Sequence, residues 1–174
     1  MESRLLPDYK KGISISYPTF RSKSQKVMEQ EVNFISSVVK VLESKVPEKT
    51  PIVILVRGMS MAILGGSLAY HLRCKGRLVN IVILRKKEDR SHDFGVYTEN
   101  DPYCLEPSHC YVLIDDMIAS GKTVLSVPKV IRFTHKKRKI DFLFVSEFDS
   151  FFVRQNLESI SKYYKYLYSN YKLK

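Results

Sequence analysis

The feature that most constrains this chain is a set of short apolar runs separated by stretches with helical spacing. Pro51 opens the run PIVILV, which carries no charge and is rich in β-branched side chains. A strand with one face in water alternates apolar and polar residues, whereas an unbroken apolar run is expected where both faces are covered, as in a parallel sheet between helix layers. The pattern recurs at residues 78–85 (LVNIVILR), 110–116 (CYVLIDD) and 139–147 (KIDFLFVSE). Residues 24–45 place Val27, Phe34, Ile35, Val38, Val39 and Leu42 at helical spacing behind Ser24 as N-cap. After the first strand, MAILGGSLAYHLRCK reads as a helix whose Gly65 and Gly66 permit close packing on the sheet. Strands alternating with helices imply right-handed crossovers, so the expected class is α/β, an open parallel sheet flanked by helices.

At 174 residues, with no internal repeat and no low-complexity linker, residues 1–174 read as one domain. Its core is expected over residues 24–147. The ends, residues 1–23 and 148–174, are expected to form a small hood over the carboxyl edge of the sheet, where open α/β folds bind ligands. Residues 86–108 lack helical periodicity and contain Pro102 and Pro107, a long loop of the kind that is functional or disordered.

Composition excludes several classes. The three cysteines, Cys74, Cys104 and Cys110, show no disulfide-framework spacing, which favours a reducing compartment. No run approaches the ~18 apolar residues of a membrane span, and the first residues hold no apolar stretch of signal-peptide length. The expectation is a cytoplasmic protein without a membrane partner. The net charge of +11 favours anionic partners, and both nucleic acid and a polyphosphorylated small molecule qualify. The run Lys136-Lys137-Arg138-Lys139 reads as a solvated turn. In the tail, Tyr163, Tyr164, Tyr166, Tyr168 and Tyr171 are interleaved with lysines, a composition that can stack on bases, although rings packed on the domain are the preferred reading. Cys104, His109, Cys110 and the upstream His92 have zinc-ligand chemistry but match no paired motif.

The run YVLIDDMIASGKTV carries the most chemistry. It passes from a buried strand into two carboxylates, then a small-residue loop, then a helix starting near Lys122. Ala119, Ser120 and Gly121 let the backbone approach a ligand. The free N–H groups of a helix start, with the Ser120 and Thr123 hydroxyls, suit a phosphate. Carboxylates beside a phosphate need other company, and ribose hydroxyls, a magnesium ion or its waters provide it. A Walker A loop would require glycine at the position held by Asp116, so an NTPase P-loop is excluded.

Four hydrophobic positions, two acidic residues, two hydrophobic positions and then Ala-Ser-Gly-Lys-Thr, at Tyr111–Thr123, resemble the phosphoribosyl pyrophosphate signature of type I phosphoribosyltransferases. The resemblance covers roughly residues 50–147. It implies that Asp115 and Asp116 contact the ribose hydroxyls and, indirectly, a magnesium ion, while Ala119, Ser120, Gly121, Lys122 and Thr123 wrap the 5-phosphate. Arg57, Gly58, Met59 and Ser60 occupy the place of the family's pyrophosphate loop, although Met59 stands where the family often has a second small residue. Arg85 and Lys86 end the next strand where the family often has a basic residue near the pyrophosphate. Residues 86–108 fall at the family's mobile loop. Ala119 replaces the aspartate typical of hypoxanthine-guanine enzymes, which argues against that subgroup.

The implied reaction transfers a 5-phosphoribosyl group from phosphoribosyl pyrophosphate to a nucleobase or similar nitrogen nucleophile, with magnesium as cofactor and a homodimer as assembly. Lys87 and Arg90 could add positive charge at the leaving group, and His92 is a candidate general base. The alternative is a noncatalytic sensor of phosphoribosyl pyrophosphate or a nucleotide, or a nucleic-acid-binding protein, on the same fold.

Overall fold

The computed structural model describes residues 25–84, 106–118, 121–134, 138–148 and 150–169. In chain order the elements are α1 (Gln25–Lys45), β1 (Ile52–Val56), α2 (Met59–Cys74), β2 (Val79–Ile83), β3 (Cys110–Ile118), α3 (Lys122–Thr134), β4 (Ile140–Phe148), α4 (Ser150–Tyr163) and β5 (Tyr164–Ser169). The strands form one sheet in the order β2-β1-β3-β4-β5, and every pairing is parallel. The expected α/β class holds.

The two faces of the sheet explain why the strands read as unbroken apolar runs. On one face Ile52, Ile54, Val56, Val112 and Ile114 pack with Val38 and Leu42 of α1 and Met61, Leu64 and Leu68 of α2. On the other, Val53, Leu55, Leu113, Leu143 and Val145 pack with Val124, Val127 and Ile131 of α3 and Ile160 of α4. All five side chains of β1 are buried, whereas the edge strand β2 leaves Asn80 exposed. Of the two glycines in α2, only Gly65 is needed for close approach. A Cβ there would lie 2.8 Å from Val56 Cγ1, while at Gly66 it would meet nothing within 4 Å.

The carboxyl-terminal expectation requires correction. Residues from Ser150 to Ser169 do not form a hood: α4 carries the chain back across the sheet and β5 adds a fifth parallel strand beside β4. The tyrosine-lysine alternation is the period of an edge strand, and the preferred reading, rings packed on the domain, holds. Tyr164 and Tyr168 are buried, Lys165 is exposed, and Tyr166 stacks on Phe142 with ring centroids 5.2 Å apart. Residues 1–23 and Tyr171 lie outside the described residues.

Candidate functional site

β1 continues into α2 on one face of the sheet, and β3 continues into α3 on the other. The carboxyl ends of these neighbouring strands therefore diverge, making the crevice at which open α/β sheets accept ligands. A glycine with positive φ stands before each of the two helices. Gly58 links β1 to α2 with φ 88° and ψ 160°, and Gly121 precedes α3 with φ 63°. Both are backbone states that side chains strongly disfavour. The Gly58 carbonyl accepts from Ala62 N at 3.0 Å and the Gly121 carbonyl from Leu125 N at 2.9 Å, so each glycine starts its helix directly. Two helix N-termini, with their unpaired N–H groups and positive dipole ends, thus flank the crevice.

Met59 and Ser60, expected in a loop, are the first two residues of α2. Among the sequence-predicted residues, Asp115 is buried, 7% exposed, near the end of β3. Asp116 follows it in the strand. Gly121 is buried, Thr123 half-buried and Lys122 exposed at the start of α3. Arg57, half-buried at the end of β1, reaches across to α3, where its Nη1 donates to Ser126 Oγ at 2.5 Å. Ser126 Oγ in turn donates to the Thr123 carbonyl at 3.2 Å. Arg57 Nε is buried without an acceptor among the described residues. Thus the structure brings Arg57 and the helix of the proposed phosphate loop together. Arg85, Lys86, Lys87, Arg90, His92, Ala119 and Ser120 lie outside the described residues.

Two contributors were not read from the sequence. Pro128 lies inside α3 and has no N–H to offer the Val124 carbonyl four residues earlier. The Tyr164 hydroxyl of β5 donates to that carbonyl instead, at 2.6 Å. Burial and, after it, the Asp115 carboxylate push the Tyr164 phenol well above its usual pKa, keeping it protonated as a donor. A proline within a helical stretch signals an orphaned carbonyl, but its partner comes from another strand and leaves no local mark. Ser126 had no signal: it is one more hydroxyl inside a helix.

The opposite edge of the sheet holds a second carboxylate that is buried among the described residues, Asp141, 8% exposed. It accepts from Tyr111 N at 2.9 Å, from Arg138 at 3.4 Å and from Lys165. Cys110 starts β3 beside this network. Burial first, then the Asp141 charge, push its thiol from the ordinary 9.0 up to about 12. Cys110 is buried in the packed sheet, while His92 and Cys104 of the zinc reading fall outside the described residues. Among the described residues, no group of three or more His, Cys, Asp or Glu could hold a metal, and no helix is long and apolar enough to cross a membrane.

No protein-family model matches the sequence, and no curated protein matches it. The fold has many solved counterparts. Adenine phosphoribosyltransferase from Saccharomyces cerevisiae, complexed with D-2,5-dideoxy-2,5-imino-altritol 1,6-bisphosphate and adenine, aligns over 94% of this chain and 99% of its own, with TM-score 0.61 and 16% identity. The enzyme from Giardia lamblia, complexed with 9-deazaadenine, aligns over 95% and 97% with TM-score 0.55 and 19% identity. That from Thermoanaerobacter pseudethanolicus aligns over 94% and 98% with TM-score 0.53 and 16% identity. Taken with the all-parallel five-stranded sheet, these likenesses show that the chain has the type I phosphoribosyltransferase fold.

Proposed function

We propose that this protein is a phosphoribosyltransferase that binds phosphoribosyl pyrophosphate at the crevice between β1 and β3. The observation that carries the reading is the pair of glycine turns, Gly58 and Gly121, opening two helix N-termini onto one crevice that Arg57 spans. An anion at each helix start and a sugar between them match a ligand with phosphate at one end and pyrophosphate at the other. The fold counterparts were crystallised with adenine, 9-deazaadenine or a sugar bisphosphate analogue, which supports a nucleobase as acceptor.

In this reading Ala119–Thr123 hold the 5-phosphate, and Arg57, Gly58, Met59, Ser60, Arg85 and Lys86 face the pyrophosphate. Asp115 and Asp116 orient the ribose hydroxyls, and their negative charge stabilises the oxocarbenium character that develops at the anomeric carbon. The acceptor nitrogen forms its bond to that carbon as the carbon–oxygen bond to pyrophosphate breaks. The electron pair leaves on the pyrophosphate oxygen, and the nitrogen's proton passes to solvent or to a loop base. A magnesium ion brought in by the ligand would meet the buried carboxylate of Asp115, while Arg57 Nε, a buried donor lacking an acceptor among the described residues, suits a phosphoryl oxygen. When bound, the ion would neutralise charge on the departing pyrophosphate.

Calorimetric titration with phosphoribosyl pyrophosphate and magnesium should give micromolar binding. A pyrophosphate-release assay over a nucleobase panel, adenine first, should identify one acceptor. Asp115→Asn keeps the side-chain shape and is expected to weaken binding about tenfold or more without unfolding, as for loss of a charge-assisted hydrogen bond. Gly121→Val should abolish binding, because φ 63° disfavours a β-branched side chain. Absence of binding by the wild-type protein rejects the assignment, and binding without release for any base makes the chain a noncatalytic sensor.

A further inference from the structure

We infer that Ser126 is a positioning residue that sets the Arg57 guanidinium for the pyrophosphate end of the ligand; this rests on the phosphoribosyltransferase reading above. Arg57 leaves β1 at a turn where Gly58 offers no side chain to hold it. Its bonded partner is Ser126 Oγ, at 2.5 Å, on the helix that follows the neighbouring strand. Ser126 lies in the helix interior, where a serine hydroxyl ordinarily returns its proton to a carbonyl of the preceding turn. Here it donates to the Thr123 carbonyl at 3.2 Å, which leaves its lone pairs for Arg57.

The hydroxyl therefore acts in both directions, binding the cation from β1 and the first turn of α3 at once. Two consequences follow from that geometry. The guanidinium loses rotamer freedom before any ligand arrives, so less entropy is lost on binding. With Nη1 engaged, Arg57 keeps Nε as a buried donor lacking an acceptor among the described residues, an arrangement that favours an incoming anionic oxygen. Lysine could not reproduce it, because a single ammonium cannot present a planar fork to Ser126 and a ligand together.

Ser126→Ala and Ser126→Thr test this. The probes are inorganic pyrophosphate and ribose 5-phosphate, each with magnesium, by calorimetry, alongside thermal melting and the KM values for phosphoribosyl pyrophosphate and acceptor. Ser126→Ala should weaken pyrophosphate binding about tenfold, the size expected for a hydrogen bond to a charged group. Ribose 5-phosphate affinity, acceptor KM and Tm should stay near wild type, and Ser126→Thr should restore pyrophosphate binding. Unchanged pyrophosphate affinity in Ser126→Ala overturns the inference while leaving the ligand assignment intact. Equal loss of both affinities together with a lower Tm overturns it too, since the serine would then merely support the helix. If the wild-type protein binds neither probe, the phosphoribosyltransferase reading itself has failed.

Discussion

The two edges of the sheet treat buried charge differently. At the amino edge, Asp141 is saturated by the chain: a backbone N–H, a guanidinium and an ammonium converge on it. Arg77, at the same edge, gives both terminal nitrogens to carbonyls, to Val46 at 3.1 Å and Pro47 at 2.9 Å. Arg138 likewise donates to the His109 carbonyl. At the carboxyl edge, Arg57 is held by one hydroxyl, beside two helix starts whose N–H groups have no helical acceptor. Orphaned Nε atoms also occur at Arg77 and Arg138, so an unsatisfied donor alone does not mark a site. What separates the edges is whether the remaining donors are already spent on the chain's own backbone. In this sheet the buried ion pairs are closed where helices end, and Arg57, held by one hydroxyl, lies where helices begin.

The largest expected effect comes from the amino edge. Asp141→Ala strips Tyr111 N, Arg138 and Lys165 of their shared acceptor and should cost about 3 kcal/mol, the low end for breaking a buried pair because Lys165 is half-exposed. Denaturant melts should show that loss, while affinity for phosphoribosyl pyrophosphate stays near wild type. A ligand-affinity change as large as the stability change would break the distinction between edges.

Next in size is the bond between Tyr164 and Val124, which crosses the sheet's second face to reach the helix of the candidate site. Tyr164→Phe leaves the Val124 carbonyl buried without a donor and should destabilise by about 2 kcal/mol. Pro128→Ala restores the helical N–H, so the double variant should recover most of the loss. A double-mutant cycle showing simple additivity would remove the compensating role assigned to Tyr164.

The smallest effect is a pH dependence at the amino edge. The Cys110 thiol ionises near 9.0 when unfolded but only near 12 when folded. The unfolded state therefore loses its proton first, and the stability present below pH 9 declines as pH rises towards 12. By pH 10 the loss from this group should be about 1 kcal/mol, read as the difference between wild type and Cys110→Ala in chemical melts.

The apolar runs made four strands legible because burial on both faces removes the polar half of the pattern. Tyr164–Ser169 escaped that logic. As an edge strand it keeps Lys165 in water, and its alternation showed that the rings pack on the domain without showing that they do so as a strand of the sheet. The signal was present in the preceding helix, Ser150–Tyr163, which makes one more strand-helix-strand unit. At the site, Gly121 was readable as a place of close backbone approach and Gly58 through the family resemblance, and the structure adds their positive φ; Ser126 and Tyr164 were not readable, because their partners lie 69 and 40 residues away.

Local sequence thus determined the parallel α/β class, the order of its first four strands along the chain and the phosphate-type turn before α3, since burial period and backbone sterics act within a few residues. Tertiary structure alone decided that β1 and β3 lie side by side, that the chain's end completes the sheet, and that Arg57 meets Ser126. Those outcomes depend on which apolar faces pack together and which buried donors find acceptors, and such balances are struck between segments distant in the chain.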